Sequence, residues 1–120
     1  MVQYASVKVA DIERSGRFYD SILAPLGWRR QEENDSMIGW GLIRSVFFIE
    51  LDPDQRPGFG HISFPARSIP AVKASYESGM QNGGRSDAEP GSNPLLGSGN
   101  YSARLMDPDG YLVQLVVAPD

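Results

Sequence analysis

The chain has no cysteine. That removes disulfides, zinc–thiolate sites and thiol nucleophiles together, and it suits a reducing compartment. Histidine is nearly as scarce: His61 is the single imidazole, so any proton or metal chemistry of that kind rests on one side chain. No apolar run approaches the roughly 20 residues that a membrane-crossing helix needs. Nor does Met1-Val2-Gln3-Tyr4 open a charged-then-apolar leader. A cytoplasmic protein with no membrane partner is therefore expected. Lys and Arg form no block, and the net charge is −4, which argues against a nucleic-acid partner. Low-complexity segments and coiled-coil heptads are missing as well.

What remains is ordinary globular composition, with 41% hydrophobic and 22% charged residues. At 120 residues there is enough chain for one real core but not for two independent ones. Within it the sequence repeats itself. Sliding the N-terminal half until Tyr4 falls on His61 also puts Ser6 on Ser63, Ile12 on Ile69, Tyr19 on Tyr76, Asp20 on Glu77 and Gly27 on Gly84. Self-similarity at a fixed offset is direct evidence of a duplicated structural unit. A longer offset sets Ile49 on Val113, Glu50 on Gln114 and Leu51 on Leu115 near the end of each half.

Each copy reads as strand, helix, then strands. Val2 to Val9 alternates and is β-prone. Asp11 is a good N-cap for a helix with Ile12, Phe18, Tyr19, Ile22 and Leu23 on one stripe, ending before Pro25 with Gly27 at the turn. Trp28 to Glu32, Met37 to Ile43 and Val46 to Leu51 follow as short strands. Residues 52–58, Asp-Pro-Asp-Gln-Arg-Pro-Gly, read as the linker. Phe59 to Ala66 then opens the second copy, and Ser68 caps a helix carrying Pro70 in its first turn. Val72, Tyr76 and Met80 are expected on its apolar face. Ser86 to Gly99 reads as a long loop with at most a short edge strand. Tyr101 to Met106 and Tyr111 to Val117 close the chain as a hairpin around Asp107-Pro108-Asp109-Gly110, which reads as a turn.

The expected fold class is α+β: tandem βαβββ modules forming a curved mixed sheet within one domain, residues 1–120. Module 1 spans about 1–51, the linker 52–58 and module 2 about 59–118. Val9-Ala10-Asp11-Ile12-Glu13-Arg14-Ser15 with Phe18-Tyr19, then Gly60-His61-Ile62-Ser63-Phe64, then Asp107-Pro108-Asp109-Gly110-Tyr111 with Val113-Gln114-Leu115 are the segments that carry a family resemblance. The chain resembles the vicinal oxygen chelate superfamily, which includes glyoxalase I, bleomycin-resistance proteins, extradiol dioxygenases and methylmalonyl-CoA epimerase. One scaffold hosts many chemistries there, so the resemblance speaks to fold more than to activity.

That resemblance implies metal-ligand positions at Tyr4, Glu50, His61 and Gln114. Glu50 and His61 are ordinary ligands of a divalent ion; Gln114 offers only a neutral carbonyl oxygen and Tyr4 a phenol. With a single anionic ligand left, no cofactor is the favoured expectation and a divalent metal (Zn, Ni, Mn or Fe) the alternative. An amide cannot accept a proton at neutral pH, so Gln114 cannot be a general base and Glu50 is the one candidate. The expected pocket gathers Tyr4, Trp40, Phe48, Glu50, His61, Tyr101, Arg104 and Gln114. Two readings result: a small-molecule-binding protein, such as a ligand-sequestering one, or a metal-dependent lyase, isomerase or dioxygenase with an atypical ligand set. The family implies a homodimer whose sites are shared between chains.

Overall fold

A computed structural model describes residues 5–54, 60–92 and 101–117. The first half supplies β1 (Ala5–Val9), α1 (Ile12–Leu23), β2 (Arg29–Asn34), β3 (Met37–Gly41) and β4 (Phe47–Leu51). The second supplies β5 (His61–Pro65), α2 (Ile69–Gln81), β6 (Arg85–Ser92), β7 (Tyr101–Met106) and β8 (Leu112–Val117). Each half builds its own four-stranded mixed sheet, ordered β1-β4-β3-β2 and β5-β8-β7-β6, with a parallel pair at one edge and antiparallel pairs beyond it. The fold is the expected α+β duplication.

Local chemistry explains the element ends. The Asp11 carboxylate accepts the backbone N–H groups of Glu13 and Arg14, satisfying two of the donors a helix start leaves free. Pro25 cannot continue α1, which tightens into one 3-10 turn (Ala24–Leu26) and leaves through Gly27 at φ 87°, a conformation glycine adopts without strain. Ser68 caps α2 by accepting the Ala71 N–H.

Both helices cover one face of their sheets and share a core. Phe47 on β4 meets Phe64 on β5 edge to face, with centroids 5.1 Å apart, and Tyr19 packs on Phe47 at 4.8 Å. All three rings are buried, and burying such aromatics contributes roughly 1.5–3 kcal/mol each. The α2 stripe differs from the expected one. Val72, Ser75 and Gly79 are its buried residues, while Met80 is exposed. A close approach sets this: a side-chain carbon at Gly79 would fall 2.6 Å from Leu105 Cδ1 and 2.8 Å from Ile22 Cγ2. Ser75 Oγ also donates to the Ile22 carbonyl, joining the helices.

The segment after α2 holds more structure than a loop. β6 runs eight residues along the open edge of β7, interrupted by register shifts between Ser86 and Gly91. Its Pro90 is tolerated because an edge strand has one side without ladder bonds. Residues 93–100 lie outside the described residues.

The Asp107–Gly110 turn does more than reverse the chain, because it fastens the second half to the first. Asp107 is buried; its Oδ1 accepts the N–H groups of Asp109 and Tyr111, and its Oδ2 accepts the Tyr19 hydroxyl of α1. Asp109 Oδ2 accepts the Ser15 hydroxyl, and its Oδ1 takes the Ala10 N–H and the Arg14 guanidinium at 3.2 Å. Burial pushes the Asp107 carboxyl above its usual range, against the pull of its three donors.

Candidate functional site

Alternation along the strands decides which residues share a face. On β4, Phe47 and Ile49 are buried under the helices, so Phe48 and Glu50 lie on the opposite face. Ser6 and Lys8 of β1 stand beside them in register, Ser6 with Phe48 and Lys8 with Glu50. The Lys8 ammonium donates to Glu50 Oε2 at 2.7 Å. That hydrogen bond, with the carboxylate's charge, raises the Lys8 pKa and keeps the ammonium charged. Glu50, the expected metal ligand and base, thus already carries a cation. Tyr4 lies outside the described residues.

The second sheet repeats the arrangement with other chemistry. Phe64, Val113, Leu115, Ala103 and Leu105 face the core, so His61, Ser63, Gln114 and Arg104 share the opposite face. Ser63 pairs with Gln114, and Gln114 with Arg104, across three adjacent strands. Ser63 Oγ donates to Gln114 Oε1 at 3.0 Å. Arg104 Nε sits 3.0 Å from Asp87 Oδ2. His61 is exposed near the start of β5. Among the described residues no hydrogen bond or ion pair joins Glu50 to His61 or Gln114, which belong to different sheets. No cluster of three or more His, Cys, Asp or Glu side chains suited to a metal occurs among them either.

Two expected pocket residues stand elsewhere. Trp40 pairs with Phe47 and so turns into the core, fully buried, its Nε1 donating to Asp20 Oδ1 at 2.9 Å. Arg30 lies over the same ring at 5.8 Å and forms an ion pair with Asp20. Tyr101 shares the parity of Ala103 and lines a cavity of about 470 Å³ between α2 and β6 with Lys73, Tyr76, Glu77, Glu89 and Pro90. Neither ring is on the face of Glu50 or Gln114.

The register also revises the internal match. Ser6 and Ser63 are repeat mates, yet Ser6 stands beside Phe48 and Ser63 beside Gln114. By strand register Phe48, not Glu50, is the counterpart of Gln114. Lys8, Ser63 and Asp109 escaped the reading of the sequence, although the parity of Tyr4 and Lys8 on one strand was a usable signal.

A cavity of about 370 Å³ opens where the two halves meet, lined by Ala5, Trp28, Val46, Phe47, Ile62, Ser63 and Phe64. Beside it Leu42 and Ile43 are exposed in the β3–β4 turn.

Known proteins place this architecture. A lactoylglutathione lyase from Salmonella typhimurium is 30% identical over 98% of this chain and 92% of its own length. The chain belongs to the vicinal oxygen chelate superfamily. An Arabidopsis thaliana lactoylglutathione lyase is 27% identical over 91% of the chain and 41% of its own length. Among solved structures, a glyoxalase/bleomycin resistance protein from Albidiferax ferrireducens superposes with a TM-score of 0.83 at 28% identity, covering 98% of both chains. A fosfomycin resistance protein from Mesorhizobium loti shares the fold at a TM-score of 0.70 and 15% identity. No protein-family model matches the chain. No helix among the described residues is long and apolar enough to cross a membrane.

Proposed function

We propose that the chain is a small-molecule-binding member of the superfamily that holds its ligand without a tightly bound metal. The observation that carries this is the state of two of the four expected ligand positions. Glu50 is ion-paired with Lys8, and Gln114, an amide, gives its oxygen to Ser63. Capturing a divalent ion needs several deprotonated or strongly basic ligands. One salt-bridged carboxylate, one imidazole and one engaged amide do not fit that requirement. Gln114 accepts no proton at neutral pH, so the base of a proton-transfer cycle would fall to Glu50, beside a fixed ammonium.

The division of the site supports a homodimer. Glu50 and Phe48 lie on one sheet, His61 and Gln114 on the other. A second copy related by a two-fold axis would set the first face of one chain against the second face of its partner. The exposed Leu42 and Ile43 supply apolar surface for that contact. A monomer in sedimentation velocity at micromolar concentration would contradict it.

The alternative is a metal-dependent lyase with an atypical ligand set, supported by the lactoylglutathione lyase relatives. Elemental analysis of protein purified without an affinity tag separates the two. Substoichiometric Zn, Ni, Mn and Fe is expected; one ion per chain, lost in His61→Ala, would favour the lyase.

A further inference from the structure

We infer that the Ser63–Gln114–Arg104 row of the second sheet is a carboxylate-binding site, its N–H donors gripping ligand oxygens. The inference rests on the small-molecule reading above and names the ligand class it would take.

Three adjacent strands, β5, β8 and β7, place the row in register on the face away from the helices. Directly opposed side chains on neighbouring strands have Cβ atoms about 4.5–5.5 Å apart, and diagonal ones somewhat more, close enough to act on one small group. Gln114 is 9% exposed, and its oxygen is occupied by the Ser63 hydroxyl. That bond fixes the amide with its two N–H groups unpaired among the described residues, since a primary amide has two donors. Arg104 adds a planar fork. Its Nε is buried and 3.0 Å from Asp87 Oδ2, but lacks hydrogen-bond geometry to any described acceptor. Asp87 therefore holds the guanidinium in place, and with no partner for its terminal N–H groups among the described residues, these can meet a carboxylate edge. His61, diagonal to Gln114 on the outer strand β5, can add a further donor.

The rest of the ligand has a place too. Ser63 also lines the 370 Å³ cavity at the junction of the two halves, whose other walls are Ala5, Trp28, Val46, Phe47, Ile62 and Phe64. An acid head on the row and an aromatic or aliphatic body in this cavity fit both surfaces. Apolar walls with a few fixed polar groups are the usual make-up of a small-molecule site.

Phenylglyoxylate, an aromatic 2-oxo acid, and its neutral methyl ester are the probes, followed in ¹⁵N–¹H spectra of the whole chain. Saturable shifts of the Gln114 side-chain amide and the Arg104 Nε–H with the acid, and not with the ester, are expected. Affinity should fall about tenfold or more in Arg104→Gln, the loss of a charge-assisted pair. Gln114→Glu should lose as much, by placing a carboxylate against the ligand's own. Arg104→Lys, which keeps the charge but not the fork, should still lose most of the affinity. Asp87→Asn should tighten binding. Unaltered dispersion elsewhere in the spectra reports that each variant is folded. Acid and ester shifting Phe48 and Glu50 alike, with the row silent, would overturn the row and leave the small-molecule reading standing. No response to the acid, or affinity unchanged in Arg104→Gln, would overturn it as well. Stoichiometric metal beside intact acid binding at the row would instead remove the metal-free reading and spare the row.

Discussion

The Tyr19 hydroxyl of α1 donates to Asp107 at the closing turn of β7 and β8, so a buried phenol and a buried carboxylate tie the two halves together. Burial and the adjacent Asp107 charge raise the Tyr19 pKa well above 10. Between the ordinary tyrosine value of about 10 and that higher folded value, the unfolded chain releases a proton that the folded chain keeps. Stability from this group is complete below pH ~10 and falls as pH rises further. Tyr19→Phe should cost about 1.5–3 kcal/mol at pH 7, the range for a hydrogen bond to a charged group. It should also flatten this group's part of the alkaline limb. Urea unfolding between pH 7 and 11 reads both; an alkaline limb unchanged in the variant would refute the assignment.

The same turn fixes the start of α1. Asp109 receives the Ala10 N–H, the Ser15 hydroxyl and the Arg14 guanidinium. Asp109→Ala leaves the buried Ser15 hydroxyl without its acceptor, at roughly 1–3 kcal/mol, and frees the Ala10 N–H to water. Amide hydrogen exchange should rise in the first turn of α1 and at Ala10. Little change should reach the β2–β3 hairpin, which Asp109 does not touch. Exchange rising evenly over the chain would mean that Asp109 supports global stability without pinning this helix.

The duplication, both helices and most strands were legible because caps, prolines and alternation are local signals. Asp11, Ser68, Pro25 and Gly27 mark ends through chemistry that needs no tertiary context. Site residues were harder to place. Chemical type alone groups Trp40 and Tyr101 with Phe48 and Arg104, yet a strand sends odd and even positions to opposite faces. Trp40 is paired with Phe47, and Tyr101 stands three residues before Arg104, so both face the helices. The Lys8–Glu50 contact depends on the parallel register of β1 and β4, which side-chain pattern on either strand leaves open. Likewise Met80 lost its place on the buried stripe to Gly79 because α2 comes so near Ile22 and Leu105.

That close approach makes a prediction with an unusual sign. In an exposed helix Gly→Ala stabilises by about 0.8–1.0 kcal/mol. At Gly79 the added carbon would meet Leu105 Cδ1 at 2.6 Å and Ile22 Cγ2 at 2.8 Å, with Phe18 Cε1 at 3.4 Å. Overpacking a tight core costs roughly 1–3 kcal/mol, which outweighs the helix gain. Gly79→Ala should therefore lower the midpoint of thermal unfolding. A raised midpoint would show that Leu105 and Ile22 can move aside freely.

The Lys8–Glu50 pair bears most directly on whether the site can hold a metal. A divalent ion at Glu50 must displace an ammonium 2.7 Å away, and meets Gln114 where the superfamily resemblance implies a charged ligand. Removing the competitor alone should help little, because one carboxylate and one imidazole remain a poor set. Restoring a second carboxylate alone leaves Lys8 in place. Lys8→Met combined with Gln114→Glu should raise Ni²⁺ affinity, with the pair of changes exceeding the two single effects. A gain of about 10–100-fold, the span that ligand-supporting groups typically control, would mark Lys8 as the competing cation. Calorimetric titration of the four proteins in a non-coordinating buffer gives the comparison. If Lys8→Met adds nothing to Gln114→Glu, the ammonium does not compete with the ion, and Gln114 alone accounts for weak metal binding.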